Sequence, residues 1–404
     1  MKKYIMTRFV ILLAFVMLFT AGCSPASPEE PESSSTTVVS TDKIEAAAPA
    51  MEQESETTPP YYPTTEWKKS SPETQGMDSN QLTKVFHDIK NKELPLHSII
   101  IIRNGYIVAE AYFEPYTISS KHNLYSVTKS LTSTLVGIAI NEGYIKGVNQ
   151  KVIDIFPDIK IEKNDLNTES ITIKDLLTMS AGHTEDYVGH TYSSMNWPQD
   201  FFNLPFSFRP GEKFLYDSSA SHLLAEIIYK TTGKKPEEYA KEHIFTPLGI
   251  TDYNWEMLNT GINTGGWGLQ LKPRDMAKFG YLFLKKGKWE EKQLVPEEWV
   301  KEATSKHIES YWGDNKGDNY GYQWWMNPYG GYRADGYAGQ YIVVMPEYNL
   351  ITVFTGEMNN EERAEPFRYM KEYILPSVKS DIPLKKNAAA NRALGEAIMR
   401  AEEP

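Results

Sequence analysis

The sequence predicts an α+β fold: an antiparallel sheet built from both termini, flanked by helices, with a mostly α-helical lobe inserted over about 145–284. Two observations carry this. Runs rich in β-branched and aromatic residues fall near the start of the folding sequence, over 98–113, and in the last third, over 322–354. Between them apolar residues recur at three- and four-residue spacing, the helical period. At 404 residues the chain has room for one large domain with an insertion. Its net charge of -11 argues against a nucleic-acid partner, which requires a basic face.

Taken in order, the chain opens with Lys2, Lys3 and Arg8, an apolar run from Phe9 to Phe19, and small residues before Cys23. The run is short for a membrane span and reads as a signal peptide over 1–22. It resembles the lipobox of bacterial lipoproteins, with Thr20 standing where that motif usually carries Leu. The resemblance implies lipidation at Cys23 and an extracytoplasmic protein anchored to a bacterial cell membrane. Cys23 is the single cysteine, so no intrachain disulfide and no Cys-based zinc site are available. From 23 to 65 the chain is Ser, Thr, Pro, Glu and Ala, too polar to offset chain entropy, and reads as a disordered acidic tether.

The folded domain is expected over 66–378. Asp78 or Ser79 caps a helix striped by Leu82, Val85, Phe86 and Ile89. Ser98–Arg103 and Tyr106–Phe113 flank Asn104-Gly105, a strong hairpin signal. A helix starting near Ser126 carries Leu131, Leu135, Val136, Ile138 and Ala139 on one face. Ile173–Met179 reads as a helix, followed by a loop with Gly182, Gly189 and Pro198. Pro210-Gly211 turns the chain before Tyr216, and Ser218 or Ser219 caps a helix that stops near Gly233. Further helices cover Pro236–Ile244 and the stretch opened by Pro273. Tyr322–Met326 is a strand, and Tyr341–Met345 pairs with Leu350–Phe354 by a hairpin. Pro366–Leu375 is a closing helix, and 379–404 is a polar, Ala-rich tail that reads as a frayed helix.

Three stretches carry chemistry. Ser126 and Lys129 stand three apart, so they share a face at the positive end of their helix. An amine held there in an apolar wall loses water and becomes a usable base. The plain alternative is a capping serine and a solvated lysine, and Ser40–Lys43 repeats the spacing in the tether. Tyr216 ends an apolar run at a helix mouth, where a phenol near a cation can pass a proton. Gly336 and Gly339 bracket Tyr337 before a strand, where a backbone N–H can pair with that of Ser126 as an oxyanion hole. No Gly-x-Ser-x-Gly and no His-Glu-x-x-His is present, which disfavours an α/β-hydrolase and a zinc hydrolase.

In this order and spacing the three stretches resemble the serine β-lactamase-like, penicillin-recognising enzymes, above all their esterase and 6-aminohexanoate-dimer hydrolase branches. The supporting stretches are Asp175–Gly182, Arg209–Glu212, Pro247–Thr251 and Trp267–Met276. The resemblance implies a β-lactamase/transpeptidase-like fold, Ser126 as nucleophile, Lys129 and Tyr216 as acid–base partners, and no cofactor or metal. Its substrates would be small esters, amides or peptides. Ser218 stands where β-lactamases of this group carry Asn, and no Lys-Thr-Gly or His-Thr-Gly precedes the last strands, leaving Arg333 as the nearby cation. Both departures weaken a β-lactamase or D,D-peptidase reading. The alternative to turnover is a penicillin-binding-like protein that binds cell-wall peptide or acylates once as a sensor. Tyr187, Ser218, Trp197, Trp267, Trp324, Tyr337 and Gly339 are candidates for the cleft wall.

Overall fold

The computed structural model describes residues 61–161, 168–310 and 318–403. The expected signal peptide, Cys23 and all but the end of the expected tether lie outside these residues. Strand β1 (Leu96–Arg103) turns at Asn104-Gly105, both at positive φ (53° and 83°), into β2 (Tyr106–Tyr112). Strands β3 (His122–Asn123), β4 (Asn254–Trp255) and β5 (Leu269–Leu271) form a small separate sheet. The last third supplies β6 (Ile308–Glu309), β7 (Asn319–Tyr320), β8 (Trp325–Met326), β9 (Tyr332–Gly336), β10 (Gln340–Met345) and β11 (Leu350–Gly356).

The main sheet runs β2-β1-β11-β10-β9-β8-β7-β6, antiparallel throughout. Strands from the two ends of the chain therefore pair directly, Ile99 opposite Phe354 and Ile101 opposite Thr352. Ile99 and Ile101 enter one core, whereas Ile100 and Ile102 enter the other. Covering both faces explains why the tract is four consecutive isoleucines instead of an apolar–polar alternation. The expected strand at Tyr322–Met326 shrinks to β8, because Gln323 takes φ 63° and its N–H bonds Leu177 O instead of a strand neighbour.

Helix α1 (Ser79–Lys92) begins at Asp78, whose carboxylate accepts the Asn80 N–H at 2.9 Å, and its apolar stripe covers one sheet face. Helix α2 (Val127–Asn141) is buried from Val127 to Ala139, polar side chains included. Gly137 lets it approach the Trp299 ring, since a Cβ there would lie 2.3 Å from ring carbons. The lobe comprises α3 (Ile173–Leu177), α4 (Trp197–Phe202) and α5 (Ser218–Thr232) with their loops. Part of the loop expected around Pro198 is thus helical: Asn196 caps α4 and Pro198 sits in its first turn. The cap of α5 is Asp217, not Ser218 or Ser219, and the helix ends as expected at Gly233 with φ 74°. Helix α2 packs α5 on one side and β9 on the other, so Ser126 stands at the seam between lobe and sheet.

Two boundaries move. Helix α6 (Pro273–Leu284), expected inside the lobe, lays Met276, Phe279 and Phe283 into the core beneath β10 and β11. Its strong apolar stripe needs the sheet as partner. The tail is no frayed helix: α7 (Ala388–Glu402) docks on α1 and β2. Ala390, Leu394, Ala397 and Ala401 are buried, a small-residue stripe whose spacing lets the helix approach closely.

Candidate active site

The turn into α2 is held from outside. The Leu124 N–H donates to Leu269 O at 2.8 Å, and Asn123 Oδ1 accepts the Tyr125 N–H at 3.0 Å. Tyr125 itself takes φ 46°, a strained setting that persists only where surroundings impose it. Ser126 follows at the N-cap position without using its side chain as a cap. Its hydroxyl faces Lys129 instead, and the capping alternative falls away.

Lys129 is only 2% exposed. Its Nζ donates to Ser126 Oγ at 3.2 Å, Ser218 Oγ at 3.2 Å and Gly266 O at 2.8 Å, and lies 4.9 Å above the Tyr216 ring. Burial lowers the amine to about 8, against the opposing pull of Asp186 and Asp217. Tyr216 is stacked on Trp325 and hydrogen-bonded to Ser126. Burial drives its phenol well above the ordinary value, with the Ser126 bond working the other way. At neutral pH the site therefore holds a protonated phenol and a lysine that is still mostly charged but far easier to deprotonate than an exposed one.

The support for these groups was only partly readable in the sequence. Asp217 accepts the Ser219 N–H at 2.9 Å through one oxygen and the His183 Nδ1–H at 2.8 Å through the other, fixing Tyr216 and Ser218 beside it. Asp186 accepts the N–H of Val188 at 3.0 Å and that of Ser218. Burial and the neighbouring Asp217 carboxylate raise its carboxyl, and these two donors and Lys129 pull it back. Gln323 braces three helices: it accepts Ser221 Oγ at 3.0 Å and the Ser130 hydroxyl at 2.7 Å, and donates to the Leu176 and Leu177 carbonyls. Gly265 and Gly266 admit α5 and Lys129, since a Cβ would lie 2.2 Å from Ser221 O and 3.1 Å from Lys129 Nζ respectively. The adjacent Gly-Gly dipeptide was the only sequence signal for that approach.

On the sheet side, Gly336 ends β9 against the turn before Ser126, where a Cβ would stand 2.4 Å from Leu124 O. Tyr337 follows, 60% exposed, its ring edge-on to Tyr125 at 5.5 Å. Ser126, Lys129, Tyr216, Ser218 and the strand end at Tyr337 are thus brought together. Trp267 lines the lobe side next to Gly266, partly buried among Tyr192, Trp197 and His222.

Other candidates sit elsewhere. Trp324 is fully buried against Phe279, Phe283 and Tyr332, and Trp197 is fully buried as well; both are core. Gly339 is buried with φ 95°, and the close approach it permits is from Met358, not a ligand. Tyr187 is buried edge-on to His183 and bonded to Thr184, beneath the loop. Arg333 is no cleft cation, because Asp318, Asp335 and Asn327 hold it in the core. The cation nearest the strand end is Arg363, 5.9 Å from the Tyr337 ring and 3.3 Å from Asp335.

The family model for β-lactamase matches residues 82–375. The 6-aminohexanoate-dimer hydrolase of Paenarthrobacter ureafaciens is 25% identical over 282 residues, spanning 63% of this chain and 71% of its own. A candidate 6-aminohexanoate-dimer hydrolase structure from Bacillus anthracis superposes with TM-score 0.64 at 19% identity, covering 79% of this chain and 90% of that one. EstCE1, a hydrolase with promiscuous acyltransferase activity, superposes with TM-score 0.59 at 14% identity, over 75% and 99%. These likenesses agree with the α+β architecture found above.

Proposed function

The chain belongs to the β-lactamase family, and on that footing we propose that it is a serine hydrolase acting through an acyl-enzyme on small esters or amides. One observation carries the reading: Lys129 is buried, lowered to about 8, and 3.2 Å from the Ser126 hydroxyl. As the free amine, Lys129 takes the Ser126 proton while Oγ attacks the substrate carbonyl. The N–H groups of Ser126 and Tyr337 receive the oxyanion. The Tyr216 phenol protonates the departing oxygen or nitrogen and is resupplied from Lys129. Water then repeats the sequence in reverse on the acyl-enzyme, releasing the acid and restoring Ser126.

Two features favour esters over β-lactams. Ser218 offers a hydroxyl where an amide side chain would grip an acylamino group, and that hydroxyl already accepts from Lys129. Arg333, the residue closest in sequence to a carboxylate-binding cation, is committed to the core. Esters also carry better leaving groups. The opening segment supports a lipid anchor at Cys23 outside a bacterial cell membrane. The test compares p-nitrophenyl butyrate with a chromogenic cephalosporin on one enzyme batch, with Ser126→Ala as blank. The ester is expected to give the higher kcat/KM. A better cephalosporin overturns the esterase reading, and a single stoichiometric label without turnover favours the sensor.

A further inference from the structure

Lys129 meets charge from several directions, and most of it is already balanced. At the head of α5, Asp217 pulls on Lys129 too, but less than Asp186, and its oxygens are held by His183 and by the Ser219 N–H and hydroxyl. From the sheet, Asp335 is paired with Arg333 and Arg363 and acts on the Tyr216 phenol. The Gly265-Gly266 turn brings only carbonyls, and the neighbouring side chains of α2 are uncharged. Asp186 differs. It hangs from the loop after His183, fixed by two backbone N–H groups, and the cation acting on it is Lys129. One of those N–H groups belongs to Ser218, whose hydroxyl touches Lys129 Nζ at 3.2 Å.

We propose that Asp186 is a positioning residue for the base: its carboxylate, anchored on Ser218, holds the proton on Lys129 and so sets the pH at which Ser126 becomes a nucleophile. This rests on Lys129 serving as that base. A carboxylate beside a buried ammonium favours the charged form, and Asp186 reaches Lys129 across one residue, Ser218, whose N–H it accepts and whose hydroxyl meets Nζ. Asp186 therefore opposes the burial that frees the amine, and keeps Lys129 charged at low pH at the expense of activity there. Removing the charge while keeping an oxygen for both N–H donors shifts the balance toward free amine.

The experiment measures kcat/KM for p-nitrophenyl butyrate from pH 5.5 to 10 on the full chain, subtracting a Ser126→Ala blank. In Asp186→Asn the rising limb moves to lower pH by about one unit, so the variant outperforms wild type near pH 6. Asp186→Glu, which keeps the charge, retains the wild-type midpoint. Asp252→Asn removes a carboxylate from the Lys121–Lys272 surface pair and leaves the midpoint unmoved. Should Asp186→Asn fail to fold, Asp186→Ser carries the same test. An unmoved midpoint in the charge-removed variant, or an equal shift in Asp252→Asn, overturns the proposal. A wild-type profile without a rising limb overturns the reading of Lys129 as base instead.

Discussion

The pH profile of the wild-type enzyme is the most demanding check on the site. With Lys129 lowered to about 8, roughly one molecule in ten holds the free amine at pH 7 and about nine in ten at pH 9. An ordinary lysine at 10.5 would supply roughly one in three thousand at pH 7, so burial raises the available base about 300-fold. The sign follows from the chemistry: the neutral form is active, so kcat/KM rises with pH, about tenfold from pH 7 to 9, then levels off. Tyr216 is pushed the other way, above the ordinary phenol, and keeps its proton throughout, so no falling limb enters before about pH 10. Initial rates on p-nitrophenyl butyrate in a constant-ionic-strength buffer series measure this, with Ser126→Ala subtracting alkaline hydrolysis. A rate that climbs with hydroxide through pH 10 without a plateau refutes the reasoning. So does a Lys129→Ala enzyme that retains the same limb.

Other consequences follow from the same contacts. Lys129→Met abolishes turnover yet stabilises the fold at pH 7: relief of a 2.5-unit lowering is worth about 3 kcal/mol, less about 1–2 kcal/mol for the orphaned Gly266 carbonyl. Urea unfolding at pH 7 reads this, and the wild type's deficit closes between about pH 8 and 10.5, where only the unfolded chain still binds the proton. Trp324→Ala costs about 3–5 kcal/mol of stability with KM unchanged in the fraction that remains folded, because its ring meets core residues only. Cys23→Ser releases the protein from membranes or blocks its processing; normal membrane retention in a fractionation assay refutes the anchor.

Legibility in the sequence tracked how local the determining physics was. The β1–β2 hairpin was readable because Asn104-Gly105 dictates its own backbone. The α1 stripe and the pairing of terminal strands followed from periodicity. Ser126 and Lys129 stood out because they are three apart at a helix start, whereas Tyr216 gained weight only beside them and from the order of the three stretches. What failed depended on partners distant in sequence. Nothing in Gln323 announces a brace among α2, α3 and α5, because its bonds to Ser130, Ser221, Leu176 and Leu177 reach 102 to 193 residues away. Arg333 stood at the right distance from the strand end to replace a missing cation. Asp318 and Asp335, converging on it in space, decided otherwise. Trp324 and Trp267 looked alike in sequence, and the packing of α6 against Trp324 is what commits that ring to the core.

The division of labour within the site follows from which part of the fold supplies each group. The nucleophile turn and the strand end at Gly336-Tyr337 belong to α2 and the main sheet, two rigid elements packed at a glycine contact. The surroundings of the base come from the lobe side: Ser218 and Asp217 at the head of α5, Asp186 from the loop, and Gly266 from the turn before β5. Substitutions on the lobe that spare the Tyr216 phenol should therefore shift the pH at which the enzyme works while leaving the plateau rate near its original value. Substitutions at the end of β9 act on oxyanion stabilisation, which has no titrating group, and should scale the rate equally at every pH. A Gly336→Ala variant illustrates the second class: its added Cβ, 2.4 Å from Leu124 O, forces the strand off the nucleophile turn. The result expected is a profile lowered in height with its midpoint still near 8, set by Lys129. A shifted midpoint would mean that the sheet, and not only the lobe, holds the charge of the base.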